Sequence, residues 1–220
     1  AEEMNRLITF YQEKGLPENS TMHGAFFDIV VFSYDSRVRE ISELRMEQSM
    51  KVAVRLGVRG VVFHTNYSPM LSGPEYDRRA VDMTAQYVEC LLKRYPDTEI
   101  YLENMFDTDP AILTAISEKL CTYGNYGVCF DYAHASISNT PMEQWVRELT
   151  PYIKHVHIND NDFTRDLHLA VGDGKINWNQ FMRYRNRYFP DCSILIETTS
   201  PENQKRSLEY LRQNYREFLS

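Results

Sequence analysis

The chain has 220 residues, 43% of them hydrophobic and 25% charged, with a formal net charge of −7 at pH 7. That balance belongs to a folded chain, long enough for one large domain or two small ones. An acidic chain has no long-range attraction for phosphate backbones or anionic lipid, and no apolar run reaches the roughly 18–20 residues that span a bilayer. No signal-peptide pattern opens the sequence. The expectation is a cytoplasmic protein with no nucleic-acid partner and no membrane partner, and homo-oligomerisation is left open.

In chain order, Met4, Leu7, Ile8 and Tyr11 form the apolar face of an opening helix that Gly15 and Pro17 end. Residues 22–32 read as the first strand. Met46, Met50, Ala53 and Val54 mark a longer helix ending near Gly57, a left-handed C-terminal residue, and residues 58–64 form the next strand. Ala80, Thr84, Tyr87, Val88, Leu91 and Tyr95 repeat at helical spacing before Pro96, and residues 99–103 follow as a strand. Asp109-Pro110 caps a helix carrying Ile112, Leu113, Ile116 and Leu120, ahead of a strand at residues 127–131. Thr140-Pro141-Met142-Glu143 reads as a capping box before a strand at residues 153–159. Trp178, Phe181 and Tyr184 are spaced like a core helix face, and residues 193–197 form the last strand. Ser200-Pro201 then caps a helix whose face is Leu208, Leu211 and Tyr215. Cys90, Cys121, Cys129 and Cys192 form no C-x-x-C pair, lie in apolar contexts and read as reduced core thiols.

Apolar strands alternating with helices indicate a parallel sheet covered on its outer face. A doubly wound sheet would bind its ligand at one switch point, usually behind a glycine-rich first loop, and the sequence has no such loop. Polar and ionisable residues instead end most strands, as they do at the mouth of a barrel. The expected fold is therefore an α/β (β/α)8 TIM barrel, with residues 1–220 as a single domain. Six strands stand where such a barrel has about eight, and the chain opens on a helix, so the first β-α-β segment is expected to be missing from it.

All six histidines lie on a strand or just beyond one. His23 and His64 belong to the first two strands, and Glu103 ends the third. Asp131 and His134 stand three apart, His155 and His157 flank Val156, Asp166 and His168 flank Leu167, and Glu197 ends the last strand. Imidazole and carboxylate donors suit zinc, manganese or iron(II). Burying so many ionisable groups together without a cation would carry a severe desolvation cost.

The segments Val128-Cys129-Phe130-Asp131-Tyr132-Ala133-His134, His155-Val156-His157-Ile158-Asn159-Asp160 and Asp166-Leu167-His168-Leu169-Ala170-Val171-Gly172-Asp173-Gly174 resemble successive motifs of the xylose isomerase-like barrel superfamily. That group includes endonuclease IV and many sugar-phosphate isomerases and epimerases. The resemblance to endonuclease IV implies three zinc ions. His23 and His64 would hold one, with Glu103 bridging to a second. Asp131, His157 and Glu197 would complete the second, and His134, Asp166 and His168 would hold the third. The resemblance to the isomerases implies instead a single divalent ion, zinc or manganese, on Glu103, Asp131, His157 and Glu197. Glu103 and Glu197 would also be catalytic, exchanging protons with the substrate.

His155 falls outside both ligand sets; strand alternation is expected to turn it away from the barrel centre as a structural residue. Asn104 and Lys175 are the candidate substrate contacts. Asn104, Asn159 and Asp160 fit equally as residues that orient ligands or as strand-end caps. Lys154, Arg165 and Lys175 are the nearest cations to hold a substrate phosphate, or are solvated surface charges. The full ligand set favours phosphodiester hydrolysis, whereas the acidic stretches Asp107-Thr108-Asp109 and Asn159-Asp160-Asn161-Asp162 oppose a DNA grip. Weighing electrostatics above motif completeness, the sequence favours an isomerase or epimerase with a small carbohydrate-like substrate. A barrel that only binds is disfavoured, because no ligand position is lost.

Overall fold

The computed structural model describes residues 2–216. The chain separates into two compact units, residues 1–103 with 112–128, and residues 104–111 with 129–220. The first holds α1 (Glu2–Lys14), β1 (Thr21–His23), α2 (Ser36–Leu56), β2 (Gly60–His64), α3 (Pro74–Arg94), β3 (Glu99–Glu103), most of α4 (Ala111–Leu120) and the start of β4 (Tyr126–Asp131). The second holds the end of β4, α5 (Tyr132–Ile137), α6 (Met142–Leu149), β5 (Ile153–Ile158), α7 (Trp178–Tyr188), β6 (Ser193–Ile196) and α8 (Pro201–Asn214). The strands neighbour one another in chain order from β1 to β6, as the βα alternation predicts. Among the described residues no helix is long and apolar enough to cross a membrane.

In the first unit β1 runs parallel to β2, and β2 to β3, with His23 opposite Val62 and His64 opposite Glu103. Every residue of β2 is buried, and α2 covers it with Met46, Met50 and Ala53. Asp35 caps α2 by accepting from Arg37 N at 2.8 Å, and Gly57 ends it at φ 68°, a conformation that costs a side chain about 1 kcal/mol or more. The predicted first strand is cut to three residues. Gly24 N still donates to the Val62 carbonyl at 2.8 Å, but beyond it the backbone bonds to side chains of α2, Ala25 N to Ser49 Oγ and Val30 N to Ser42 Oγ, and leaves the ladder. Arg79 secures the same segment by donating to the carbonyls of Phe32 and Ser33 at 2.7 and 2.8 Å.

Two other expectations fail here. Of the predicted face of α1 only Ile8 is buried, while Met4, Leu7 and Tyr11 are exposed. Cys90 and Cys121 are exposed too: helix periodicity turns Cys90 of α3 from the core, and Cys121 sits in the turn just after α4; none of the four cysteines is in a disulfide.

In the second unit β5 and β6 run parallel, with His155 opposite Ser193 and His157 opposite Leu195. Phe130, Tyr132, Trp145, Trp178 and Phe181 form an aromatic core, with Tyr132 and Phe181 centroids 4.9 Å apart edge to face; Tyr184 is only half-buried. Ser200 caps α8 by accepting from Asn203 N at 3.1 Å. The expected capping box does not form. Pro141 occupies the cap position of α6, and Thr140 Oγ1 donates to the Thr108 carbonyl at 2.8 Å.

Candidate metal centre

In the first unit strand register does the positioning. Val62 and His64 share a face of β2, and Glu103 lies directly opposite His64. The Nε2 atoms of His23 and His64 come within 3.2 Å of each other, and each lies 3.4 Å from Glu103 Oε2. Glu103 is fully buried. His23 Nδ1–H donates to the Gly24 carbonyl at 3.2 Å, which leaves Nε2 to face the carboxylate. The Phe26 ring packs on both imidazoles, with centroids 4.8 and 4.3 Å away.

The second unit carries a similar cluster built differently. Asp131 caps α5 by accepting from His134 N at 2.6 Å, which explains the D-x-x-H spacing. His134 Nδ1–H donates to the Asn104 carbonyl at 2.9 Å, and His168 Nδ1–H to the Glu197 carbonyl at 3.1 Å. Both Nε2 atoms then meet Asp166 Oδ2, at 3.4 and 2.8 Å. Burial alone would raise the Asp166 carboxyl, but its bonds to the two histidines hold it well below the usual carboxylate range. The bond to Asp166 outweighs burial for His168 and raises it to about 9.

Asp166 and His168 ride on the loop between β5 and α7, and Asp160 holds that loop. Its buried carboxylate accepts from Gly172 N at 2.9 Å, Ile176 N at 3.1 Å and Trp178 Nε1 at 2.8 Å. Asp160 and Leu169 also form an antiparallel bridge. Gly174 is required beside it, since a Cβ there would overlap the Asp160 carboxylate and the Asn161 carbonyl. Within this clamp His168 adopts φ 46°, a left-handed backbone that a non-glycine residue keeps only when its surroundings impose it. Asp160 was legible only as an orienting residue or a cap; the structure makes it the loop's anchor.

The same unit brings Asp131, His157 and Glu197 together, each with a donor atom within 4.8 Å of the others. His157 Nδ1 lies 3.2 Å from Glu197 Oε2, because Glu197 N continues the β5–β6 ladder by donating to the Ile158 carbonyl. Asn104 grips the backbone of Asp131 from both ends of its amide, donating at 2.9 Å and accepting at 3.0 Å. Lys175 is exposed, with its backbone N–H on the Asn161 carbonyl. His155 corrects the sequence reading. Residues two apart on a strand share a face, so His155 lies beside His157, ring centroids 5.0 Å apart, rather than turning away. The period of two was the signal that would have found it.

Two imidazoles converging on one carboxylate oxygen, twice over, is the donor chemistry of a divalent cation of the zinc or manganese kind. Nδ1–H bonds to backbone carbonyls are the usual outer partners of such ligands. The residues fit a divalent metal.

Comparison with known proteins bears on the fold. The family model described as "Xylose isomerase-like TIM barrel" matches residues 1–214. The chain is 26% identical over 167 residues to an uncharacterized protein of Methanocaldococcus jannaschii, covering 74% of this chain and 64% of that one. It is 28% identical over 160 residues to a probable endonuclease 4 of Mycobacterium leprae, covering 68% of this chain and 62% of that one. The chain thus spans less than two thirds of the length of either relative. Among solved structures, a D-tagatose 3-epimerase-like protein superposes with a TM-score of 0.78 at 25% identity, covering 96% of this chain and 82% of that one.

Proposed function

The chain belongs to the xylose isomerase-like TIM barrel family, and from that premise we propose that it is a divalent-metal-dependent sugar or sugar-phosphate isomerase or epimerase, its 220 residues acting as one domain. The observation that carries this reading is the lining of the cavity beside the loop cluster. Met105, Phe106, Asp107, Thr108, Ile137 and Ser138 surround His134 and Asp166 in a space of about 300 Å³, and none of the described lining residues is Lys or Arg. Such a wall, with apolar side chains for the ring and acidic groups for the hydroxyls, suits a small carbohydrate and offers nothing to a polyanionic backbone. The solved D-tagatose 3-epimerase-like relative supports the same substrate class.

In this reading Glu103, Asp131, His157 and Glu197 hold the principal ion, zinc or manganese. When bound, that ion polarises a carbonyl and its neighbouring hydroxyl and makes the adjacent C–H acidic. Glu103 and Glu197 supply the proton chemistry: one carboxylate removes the proton, and the other, or the same one, returns it. His134 and His168, aligned by Asp166, orient substrate hydroxyls. The buried setting of Glu103 favours its role as a base, since water there does not compete for the proton.

A second reading, a trinuclear phosphodiesterase of the endonuclease IV kind, is favoured by one observation. The His134–Asp166–His168 cluster repeats the donor set of His23–His64–Glu103, as three ions would require. One experiment separates the two. Protein loaded with zinc or manganese is incubated in D2O with ketopentoses, ketohexoses and their phosphates, and in parallel with an abasic-site duplex. Deuterium entering the carbon next to the carbonyl, lost in Glu103→Gln, is the expected result. Duplex cleavage with no exchange into any sugar would replace the first reading by the second.

A further inference from the structure

Another donor set lies one strand repeat behind the proposed ligands. Cys129 precedes Asp131 by two residues and His155 precedes His157 by two, so each shares its neighbour's strand face. The Cys129 sulfur and one ring nitrogen each of His155 and His157 lie within 4.8 Å of one another, and all three residues are buried. Ser193 lies directly opposite His155 in the β5–β6 register and buttresses its ring. Its Oγ lies 2.7 Å from His155 Nδ1 and 3.4 Å from the Lys154 carbonyl.

We infer that Cys129, His155 and His157 form a separate site for a thiophilic divalent cation. One thiolate and two imidazoles suit zinc or cobalt(II) and disfavour manganese, which prefers oxygen donors. Binding forms a metal–sulfur bond and releases the thiol proton to solvent. No electron is transferred. His157 can serve only one ion at a time, so a soft cation at this site competes with the ion of the carboxylate site. That competition rests on the function proposed above; the existence of the thiolate site does not.

The test uses cobalt(II) alone, titrated into chelator-treated full-length protein. The expected result is an intense near-ultraviolet thiolate-to-cobalt absorption in the wild type. It should be abolished in Cys129→Ser, weakened in His155→Gln and unchanged when the exposed Cys90 and Cys121 are both replaced by Ser. Cobalt bound without that absorption, or with it intact in Cys129→Ser, would overturn the site. Should Cys129→Ser fail to fold, zinc X-ray absorption on the wild type decides: a sulfur neighbour near 2.3 Å is expected, and a first shell of nitrogen and oxygen alone sinks the proposal. Deuterium exchange into sugars is read separately, so failure of the thiolate site and failure of the proposed activity are told apart.

Discussion

His64 and Glu103 face each other across paired parallel strands, and the cluster they form with His23 follows once the register is set. Asp166 and His168 have no strand beneath them. They stand on a loop whose shape depends on three bonds to the Asp160 carboxylate from residues 12 to 18 positions away, and on a left-handed backbone at His168 itself. Both regions present two Nε2 atoms to one carboxylate oxygen. The same donor geometry is thus reached by two routes, one carried by backbone pairing and one by a buried carboxylate. The loop route can be broken by a single side chain that touches no ligand, whereas the strand route can be broken only at the donors or at the sheet.

The largest effect is expected at the strand cluster's own donor. Glu103→Gln keeps the shape but removes the charge and the basic oxygen, and turnover should fall by about 10²–10⁴-fold with the thermal midpoint nearly unchanged. Turnover at the wild-type rate would remove Glu103 from the chemistry.

Asp160→Ala attacks the loop route. Losing the four bonds that its carboxylate accepts, from Asn161 N, Gly172 N, Ile176 N and Trp178 Nε1, in a buried setting should cost about 3–5 kcal/mol by denaturant titration. Amide exchange at Gly172 and Ile176 should accelerate while the His23 and His64 ring signals stay in place. If those signals move as well, the two clusters are not independent and the comparison fails.

Gly174→Ala sharpens the same contrast. The added methyl meets the Asp160 carboxylate and a backbone carbonyl, neither of which can swing aside, so a loss of about 1–3 kcal/mol is expected. Under the proposed function, in which the loop histidines orient hydroxyls rather than move the proton, substrate affinity should weaken more than turnover. A fall confined to turnover would place the loop cluster in the chemical step.

The smallest effect is a control at Glu47 on α2, which belongs to neither cluster. Burial would raise the Glu47 carboxyl, but Tyr95 Oη at 2.6 Å and Arg94 at 2.7 Å outweigh it and hold it below its ordinary value. A depressed carboxylate adds stability above its unfolded pKa of about 4.3 and loses it as pH falls through the folded value. Glu47→Gln should therefore be less stable than wild type at pH 7, by about 1 kcal/mol or less, with the gap closing toward pH 3. A gap that widens in acid would contradict the sign.

Much of the candidate site is readable along the chain because strand ends announce themselves. Glu103 closes a predicted strand with the bounds the structure has, and Asp131 and Glu197 sit where apolar runs stop. The failures have separate causes. Residues 24–32 are apolar enough for a strand, yet Ser42 and Ser49 take their amides. Thr140 matches a cap motif but donates to Thr108 instead. Asp160 is one acid among several in a polar stretch until the amides it accepts from are known.

The sequence by itself determines the alternation of strands and helices, their order, and the kinds of donor standing at strand ends. Those features depend on neighbours within a few residues: a period of two, a period of 3.6, a cap or a proline. Only the tertiary structure decides which carboxylate the histidines of each cluster meet. It also decides that a loop can hold His168 in a left-handed turn and that Cys129 lies against His155. Each of those outcomes rests on register, or on a hydrogen bond between residues far apart in the chain, and no local pattern encodes either.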